Sequence, residues 1–346
     1  MGAPLDVSRA QILAFRRHSS ALEARLPAGR ASLERAAWAG LQDSMPRAAL
    51  LSVHARVDGT RPDAWEDPAF VQLWGPRYNA YVVAARDHAV FSLGRLPESL
   101  RKREFAEAHA DRIEAVLAGR RLPYGEVGRL LGHHARALAY AAPTGRVLIR
   151  WDGARNPTVW SVPRPPMEPA AARLELARRY LHVLGPTTAD SFGRWAGLLA
   201  SSARAAFAAL VDELIPVRTP IGEAWLLAAD EPALRRADPP PSAPARLLPS
   251  GDAYWLLWGS DRELLVADPA RRSQLWTSRV WPGALLVEGE IAGTWRRDQG
   301  RLEIDPWQRL SAAQIAAVEA EASSLPLPGL TGPISVRWSE RAQPGR

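Results

Sequence analysis

Residues 39–57 read AGLQDSMPRAALLSVHARV, and this stretch joins two short helical patterns through a polar corner. The first pattern covers residues 31–42, where apolar side chains recur at helical spacing. The second covers residues 47–57 and begins directly after Pro46, and proline is favoured in the first turn of a helix. The corner between them is Gln42-Asp43-Ser44. Two helices joined in this way predict a helix-turn-helix unit near the start of the chain.

The sequence on both sides of this stretch extends the pattern. A further helix is predicted over residues 8–26, and two alternating apolar runs follow around residues 80–85 and 89–93. Arg86-Asp87-His88 separates the two runs, as the turn of a hairpin would. Three helices followed by a two-stranded ribbon is the order of a winged helix, so residues 1–100 are predicted to form a first winged-helix unit.

The same order of elements returns twice further along the chain. Residues 101–167 contain a long helical pattern, two shorter ones (LPYGEVGRLLG and HHARALAYAA) and a ribbon of RVLIRW and TVWSV. Residues 168–240 contain three helical patterns and a ribbon of LIPVRTP and EAWLLA. A second and a third winged-helix unit are therefore predicted in these two ranges. Their clearest helices are predicted at residues 103–118, 168–184, 188–197 and 201–213.

Residue spacing indicates that the second and third units are copies of one plan. Four residues of the second unit recur 65 positions later in the third: Gly128, Arg129, Gly132 and Trp160 return as Gly193, Arg194, Gly197 and Trp225. A repeat of this length is the size of one small module.

The pattern changes to short strands beyond a Pro- and Ala-rich linker at residues 231–249. Strands are predicted at residues 254–258, 263–266, 284–287, 291–296 and 301–304, before a helix at 311–323 and a last strand at 333–338. Residues 245–346 are thus predicted to be a small antiparallel β-domain. The fold class of the whole chain is predicted to be α+β, with tandem winged-helix modules followed by this domain.

The composition favours a negatively charged partner. The 346 residues carry a formal net charge of +7, and the isoelectric point is about 10.4. The sequence contains no cysteine, which excludes disulfides, thiolate zinc sites and cysteine nucleophiles. It shows no secretory signal core, no apolar run of membrane-spanning length and no His, Asp and Glu cluster at metal-ligand spacing. We therefore predict a cytoplasmic protein that binds no membrane, no metal and no small-molecule cofactor.

Four stretches together resemble the AlkZ/YcaQ family of winged-helix DNA glycosylases, over about residues 8–310. GLQDSMPRAALLSVHAR is similar to a GLQ-x-Q-x-P…L-x-x-R motif, and WGPRYNAYVVAARD is similar to R-G-T-L-H-L-V-x-A-x-D. The other two are LLPSGDAYWLLWGSDRELL and IAGTWRR. The resemblance implies tandem winged-helix units, a C-terminal β-domain and excision of N7-alkylated purines, either in DNA repair or in self-resistance to a genotoxin.

The chain departs from the family at positions that bear on this chemistry. Active members carry Gln-x-Gln or Gln-x-Asp at the corner, whereas Ser44 occupies the second of these positions here. In the second stretch, Tyr78-Asn79 replaces Gly-Thr and Tyr81 replaces His. These departures leave the fold prediction unchanged and concern only the activity.

The resemblance implies a catalytic role for Gln42, with help from Asp43 or Ser44. An N7-alkylated purine is already cationic and leaves without a strong acid, so the enzyme must stabilise positive charge on the sugar and position a water. An amide can hold that water by hydrogen bonds, and a carboxylate can also supply charge. Asp43 would face the same cavity as Gln42 only if the corner is a turn, because successive helical residues diverge by about 100°.

Two interpretations in which the protein has no catalytic activity also fit the sequence. Asp43-Ser44 ahead of Pro46 also has the form of a helix N-cap, in which case the protein is a DNA-binding protein or regulator that has lost the glycosylase motif. The winged-helix units could instead be protein-interaction modules, although the positive charge favours DNA.

Candidate DNA contacts come from the recognition-helix positions, the ribbon tips and a basic hairpin in the C-terminal domain. The partner is predicted to be double-stranded DNA, bound by a monomer. The 14 Trp residues are interleaved with apolar residues and are predicted to be core, so no aromatic platform for single strands is expected. The candidate contacts are His54, Arg56, Arg77, Asn79, His133, His134, Arg136, Arg155, Asn156, Arg218, Arg296, Arg297 and Arg301.

Overall fold

The computed structural model describes residues 3–152, 157–237 and 244–339, which form an α+β protein. The first part of the chain contains β1 (Leu5–Asp6), α1 (Arg9–Ser19), α2 (Arg30–Ala36), β2 (Leu41–Gln42), α3 (Ala48–His54), β3 (Phe70–Trp74), β4 (Ala80–Ala84) and α4 (His88–Leu93). Short 3₁₀ turns lie at Ala64–Glu66, Pro76–Tyr78 and Ala85–Asp87. The mixed α+β content predicted for the chain is confirmed. In this first part the helix predicted over residues 8–26 ends at Ser19, and two further assignments are wrong.

The polar corner begins on a strand, not at the end of a helix. The helix predicted over residues 31–42 ends at Ala36, and β2 pairs antiparallel with β4 so that Gln42 lies opposite Tyr81. Gly40 has φ +71°, a left-handed conformation that turns the chain from α2 into this extended segment. The three-stranded sheet has the order β2-β4-β3 and carries the corner at its edge.

The ribbon of the first unit also differs from the prediction. Its strands are β3 and β4, whereas residues 89–93, predicted to be a strand, belong to α4. Val90, Phe91 and Leu93 are all buried on this helix. Periodicity cannot separate a buried strand from a buried helical turn in so short an apolar run.

The second and third units follow the predicted order. The second contains α5 (Leu100–Leu117), β5 (Leu122–Pro123), α6 (Tyr124–Leu130), a 3₁₀ helix (Ala135–Thr144), β6 (Val147–Arg150) and β7 (Thr158–Ser161). The third contains α7 (Pro169–Leu184), α8 (Ala189–Ala196), α9 (Ala200–Ala209), β8 (Leu214–Thr219) and β9 (Gly222–Leu227), with 3₁₀ turns at Val211–Glu213 and Ala228–Asp230 and then α10 (Glu231–Arg235).

Residues paired by the 65-residue spacing occupy equivalent places in these two units. Gly132 follows α6 with φ +69°, and Gly197 follows α8 with φ +74°. Trp160 lies on β7 and Trp225 on β9, the second strand of each ribbon. The start of the chain joins the third unit, because β1 pairs in parallel with β8.

The C-terminal domain is built on a five-stranded sheet of order β10-β11-β12-β13-β14. Helix α13 packs on this sheet, with Val318 and Leu302 among the buried residues of their shared core. Pairing is antiparallel except for the parallel contact of β13 with β14. The elements are β10 (Arg246–Leu248), α11 (Asp261–Leu265), α12 (Pro269–Leu275), β11 (Gly283–Val287), β12 (Glu290–Asp298), β13 (Arg301–Pro306), α13 (Ala312–Ser323) and β14 (Ser335–Trp338).

Two strands predicted at the start of this domain are wrong. Tyr254 to Leu257 are at most 1% exposed but form irregular backbone that packs into the large central core. Residues 263–266 fall mostly within α11. Within the three described ranges, no helix is long and apolar enough to cross a membrane.

Candidate active site

Gln42 lies at the edge of the first sheet, with its side chain on the same face as Tyr81. Its Oε1 accepts a hydrogen bond from Arg77 Nη2 at 3.2 Å and a longer one from the Tyr81 hydroxyl at 3.5 Å. On its other side the amide packs against Gly251, which has φ +74°. A Cβ at position 251 would lie 2.8 Å from Gln42 Nε2, so only glycine leaves the amide its present place. The Gln42 carbonyl oxygen is thus held by a cation while its amide nitrogen faces the C-terminal part of the chain.

Asp43 points to the opposite face, because side chains alternate along an extended segment. Its Oδ1 accepts a hydrogen bond from the backbone N–H of Ala49 at 3.0 Å, and its Oδ2 accepts one from Gln72 Nε2 at 2.8 Å. The residue is 2% exposed. Burial raises the pKa of Asp43 to about 6, against the opposing effects of the Ala49 hydrogen bond and the charge on Arg47. Asp43 therefore caps the first turn of α3 and does not share a cavity with Gln42.

The Asp43 cap has a testable effect on stability. Asp43→Ala leaves the Ala49 N–H and the Gln72 amide without their acceptor, and we expect a loss of about 1–3 kcal/mol at pH 5. The folded pKa is raised above its unfolded value, so the carboxyl contributes less to stability as the pH rises from about 4 to about 6. The loss measured by urea unfolding should therefore be about 1 kcal/mol smaller at pH 7.5 than at pH 5. Equal losses at the two pH values would contradict the raised pKa.

Ser44 follows with a hydroxyl that is buried and has no hydrogen-bond partner among the described residues. A buried polar group without a partner is costly unless a water or a ligand satisfies it. The Ser44 hydroxyl is therefore available to hold a water molecule together with the Gln42 amide.

A strained turn brings Arg77 to the corner. Arg77 has φ 54° and Tyr78 has φ 60°, so two successive non-glycine residues adopt the left-handed conformation. Such strain persists only where the surroundings enforce it, and it is concentrated at functional sites. The Arg77 guanidinium lies 4.3 Å from the centre of the Trp258 ring, and Arg262 lies 5.0 Å from the same ring. Burial and the charge on Arg77 lower the pKa of Arg262 to about 10.

A cavity of about 320 Å³ opens beside the corner, between the loop at Met45 and Pro46 and the hairpin of β12 and β13. Arg296 and Arg297 line it from the hairpin side. Arg297 Nη2 donates a hydrogen bond to the Pro46 carbonyl oxygen at 3.3 Å. Burial and the charge on Arg47 lower the pKa of Arg297. Within the described residues Arg296 and Arg297 form no ion pair, whereas Asp298, which also lines the cavity, pairs with Arg301 at 3.8 Å, so the hairpin side of this cavity is cationic.

Most of the other candidate DNA contacts lie at the surface. His133 accepts a hydrogen bond from Arg112, and Arg218 pairs with Asp6 at 3.3 Å. Asn79 is half-buried beside the strained turn. Arg155 and Asn156 lie outside the described residues. The exposed candidates are His133, His134, Arg136, Arg218, Arg296 and Arg301.

The structure corrects the prediction for His54 and Arg56, which lie in the interior. Arg56 is 2% exposed and forms two hydrogen bonds of 2.7 Å with the carboxylate of Asp252. His54 is 6% exposed, and its Nε2 lies 3.0 Å from the Ser324 hydroxyl and 3.1 Å from Arg25. Burial, together with the charges of Arg25 and Arg246, lowers the pKa of His54 to about 3. Both side chains join the first unit to the C-terminal part of the chain and are closed to direct contact with DNA.

The residues from distant segments that contact Gln42 and Arg77 were not predicted from the sequence. Gly251 and Trp258 come from the LLPSGDAYWLLWGSDRELL stretch, whose similarity to the family was the only signal for them. Tyr81 was noted only as the replacement of a family His, and pairing the alternating run at residues 80–84 with the corner would have placed it beside Gln42. In the described part of the chain, no group of three or more His, Asp or Glu side chains is arranged to hold a metal ion.

The fold and this corner define a class of protein. The family described as DNA glycosylase AlkZ-like matches residues 33–326, so the chain belongs to the AlkZ-like DNA glycosylase family. It is 31% identical over 160 residues to the interstrand DNA cross-link repair glycosylase of Streptomyces sahachiroi, and this match spans 45% of the chain and 42% of that relative. The solved structure of the Streptomyces sahachiroi DNA glycosylase AlkZ has the same fold, with a TM-score of 0.78 at 21% identity over 97% of this chain and 100% of that one.

Proposed function

We propose that this protein is a monofunctional DNA glycosylase that excises N7-alkylated purines from duplex DNA. The observation that carries the proposal is the position of Gln42 between Arg77 and Gly251, beside a cationic cavity, in a chain of the AlkZ-like family. The 31% identity to a cross-link repair glycosylase supports bulky or cross-linking adducts as substrates.

The proposed chemistry needs little acid catalysis. The alkylated base is cationic and leaves readily, so the protein has to orient a water and stabilise charge on the sugar. Gln42 holds the water, and the unpaired Ser44 hydroxyl supplies a second hydrogen bond to it. Arg77, which holds the Gln42 carbonyl oxygen, is positioned to exchange this contact for a DNA phosphate. Asp43 acts as a positioning residue, because it fixes α3 behind the corner.

The finer architecture belongs to the same proposal. Residues 1–100, 101–167 and 168–240 are proposed to be tandem winged-helix units that hold the duplex, with residues 245–346 as the C-terminal β-domain. The order of helices and ribbon in the second and third units supports this division. The exposed basic residues of those units are the proposed phosphate contacts. A monomer, a cytoplasmic location and a role in DNA repair or genotoxin self-resistance stay predictions.

The deciding experiment measures release of N7-methylguanine, and of one bulky N7 adduct, from duplex DNA by the wild type and by Gln42→Ala. Abasic sites produced by the wild type and absent with the variant are the expected result. No release by the wild type, with salt-dependent DNA binding intact, would instead leave a DNA-binding relative without the chemistry.

The glycine beside Gln42 provides a second test of the site. Gly251→Ala places a methyl group 2.8 Å from Gln42 Nε2, so we expect adduct release to fall about tenfold to a hundredfold as the amide is displaced. Gly119→Ala is the matched control, because Gly119 has φ +76° and no atom within 4 Å of the added Cβ. Both variants should lose about 1–2 kcal/mol of stability through the left-handed backbone. Equal activity of the two variants would contradict a role for the Gln42 position.

A further inference from the structure

An exposed row of aromatic rings begins at the strained turn beside Gln42 and crosses to the second unit. Tyr78 meets Tyr140 edge to face at 5.4 Å, and Tyr140 lies 6.2 Å from Phe105. On the inner side Phe105 stacks on His109 at 5.9 Å, and His109 is only 4% exposed, so the exposed row ends at Phe105. Tyr78, Tyr140 and Phe105 are 40%, 47% and 58% exposed. The sequence did not indicate this row, because the rings come from separate segments that only the fold brings together.

The strained backbone explains why this row faces solvent. The left-handed turn directs the Tyr78 ring outward, while the preceding residue, Arg77, contacts Gln42. Arg95 lies 5.1 Å from the centre of the Tyr78 ring and donates a hydrogen bond to the Trp74 carbonyl oxygen. The row is therefore continuous with the proposed active site, and the buried guanidinium of Arg95 packs against its Tyr78 ring.

The charge around the row is positive. Arg101, Lys102 and Arg112 lie on the same face of α5 as Phe105, by the 3.6-residue period of the helix, and all three are exposed. The acidic residues Glu104, Glu107, Asp111 and Glu114 all lie about 100° or more around the helix from Phe105, and Arg146 pairs with the last three of them. Exposed aromatic rings surrounded by cations fit a nucleic acid better than an apolar protein surface.

We infer that Tyr78, Tyr140 and Phe105 form a stacking surface for unpaired nucleobases next to the damaged nucleotide. Every base has a π-face, so such a surface binds unpaired strand without reading its sequence. Opening of the duplex at a lesion exposes these bases, and the flanking arginines and Lys102 hold their phosphates. The inference rests on the proposed function for its ligand, DNA, but not on catalysis by Gln42.

The test compares dissociation constants, measured by fluorescence anisotropy, for two duplexes with the same abasic-site analogue. One is otherwise fully paired, and the other has a three-nucleotide unpaired loop next to the analogue. The wild type should prefer the looped duplex. Phe105→Ala and Tyr140→Ala should each reduce that preference about tenfold, the size of one base–aromatic stack, whereas Tyr140→Phe should retain it. Val211→Ala, at a residue 47% exposed beside Asp212 and Glu213, is the control and should retain it as well.

A wild type without preference for the loop, or alanine variants that keep the preference, would overturn the inference and leave the row as a surface for a protein partner. Loss of preference in Val211→Ala would overturn it too. Thermal unfolding of each variant verifies the fold. Adduct release is measured separately. Release without a preference for the loop would contradict only the stacking surface. A preference for the loop without release would contradict only the glycosylase proposal.

Discussion

Replacing Asp252 with alanine is expected to lower the free energy of unfolding by about 3–5 kcal/mol. Asp252 is 1% exposed and receives two hydrogen bonds of 2.7 Å from Arg56, one of 2.7 Å from the Ser52 hydroxyl and one of 2.9 Å from the Tyr254 N–H. Burial alone would raise the pKa of Asp252, but the Arg56 charge and these hydrogen bonds lower it. Alanine would leave the Arg56 guanidinium buried without a counter-charge, and this orphaned charge causes most of the loss.

The double variant Arg56→Met/Asp252→Leu isolates that cause. It removes both charges and fills the space with apolar atoms, so its loss should be clearly smaller than that of Asp252→Ala. Urea unfolding at pH 7 measures both variants and the wild type. A double variant as unstable as the single one would mean that packing, and not the orphaned charge, dominates. Because Asp252 follows Gly251, the same pair also holds the loop that packs on Gln42.

The ion pair of Arg56 with Asp252 shows that the sequence does not reveal whether a charged residue is buried or exposed. The sequence states that position 56 is cationic, and a cation near a helix of a basic protein predicts a phosphate contact. Its burial depends on Asp252, which lies 196 residues further along the chain. The same holds for Gly251 and Trp258, whose contacts with Gln42 and Arg77 follow from the fold and not from local spacing.

The fold was predictable where the elements are long and punctuated by glycine. Helices α5 and α7 have 18 and 16 residues, so several apolar turns define each one. The first unit uses elements of two to seven residues after α1, such as β2 and α4. At that length the helical and extended periods give the same apolar runs, and tertiary packing decides between them. For this reason Gln42 was assigned to the end of a helix, whereas it lies on β2.

The last prediction concerns Gln42, at the end of β2, and Ser44, in the bend that follows it. Gln42→Ala removes the amide that orients the water, and we expect adduct release to fall about a hundredfold to a thousandfold, the usual effect of deleting one positioned polar group. Gln308→Ala, at an exposed glutamine of the C-terminal domain, is the control and should leave release unchanged. Salt-dependent DNA binding by Gln42→Ala should remain, since the phosphate contacts lie elsewhere.

Ser44→Asp should act in the opposite direction and raise adduct release about tenfold. Ser44 lies two residues after Gln42, in the bend that leaves β2, and its hydroxyl is buried without a partner among the described residues, so we expect a carboxylate at position 44 to reach the water held by Gln42. It would add the negative charge that Asp43, directed to the helix cap, does not supply to the sugar cation. Ser44→Ala should lower release by no more than a few fold, because it removes only one neutral hydrogen bond. Single-turnover rates for the four proteins, wild type, Gln42→Ala, Ser44→Ala and Ser44→Asp, give the comparison. A slower Ser44→Asp with unchanged DNA binding would show that the reaction at this corner is not limited by charge on the sugar.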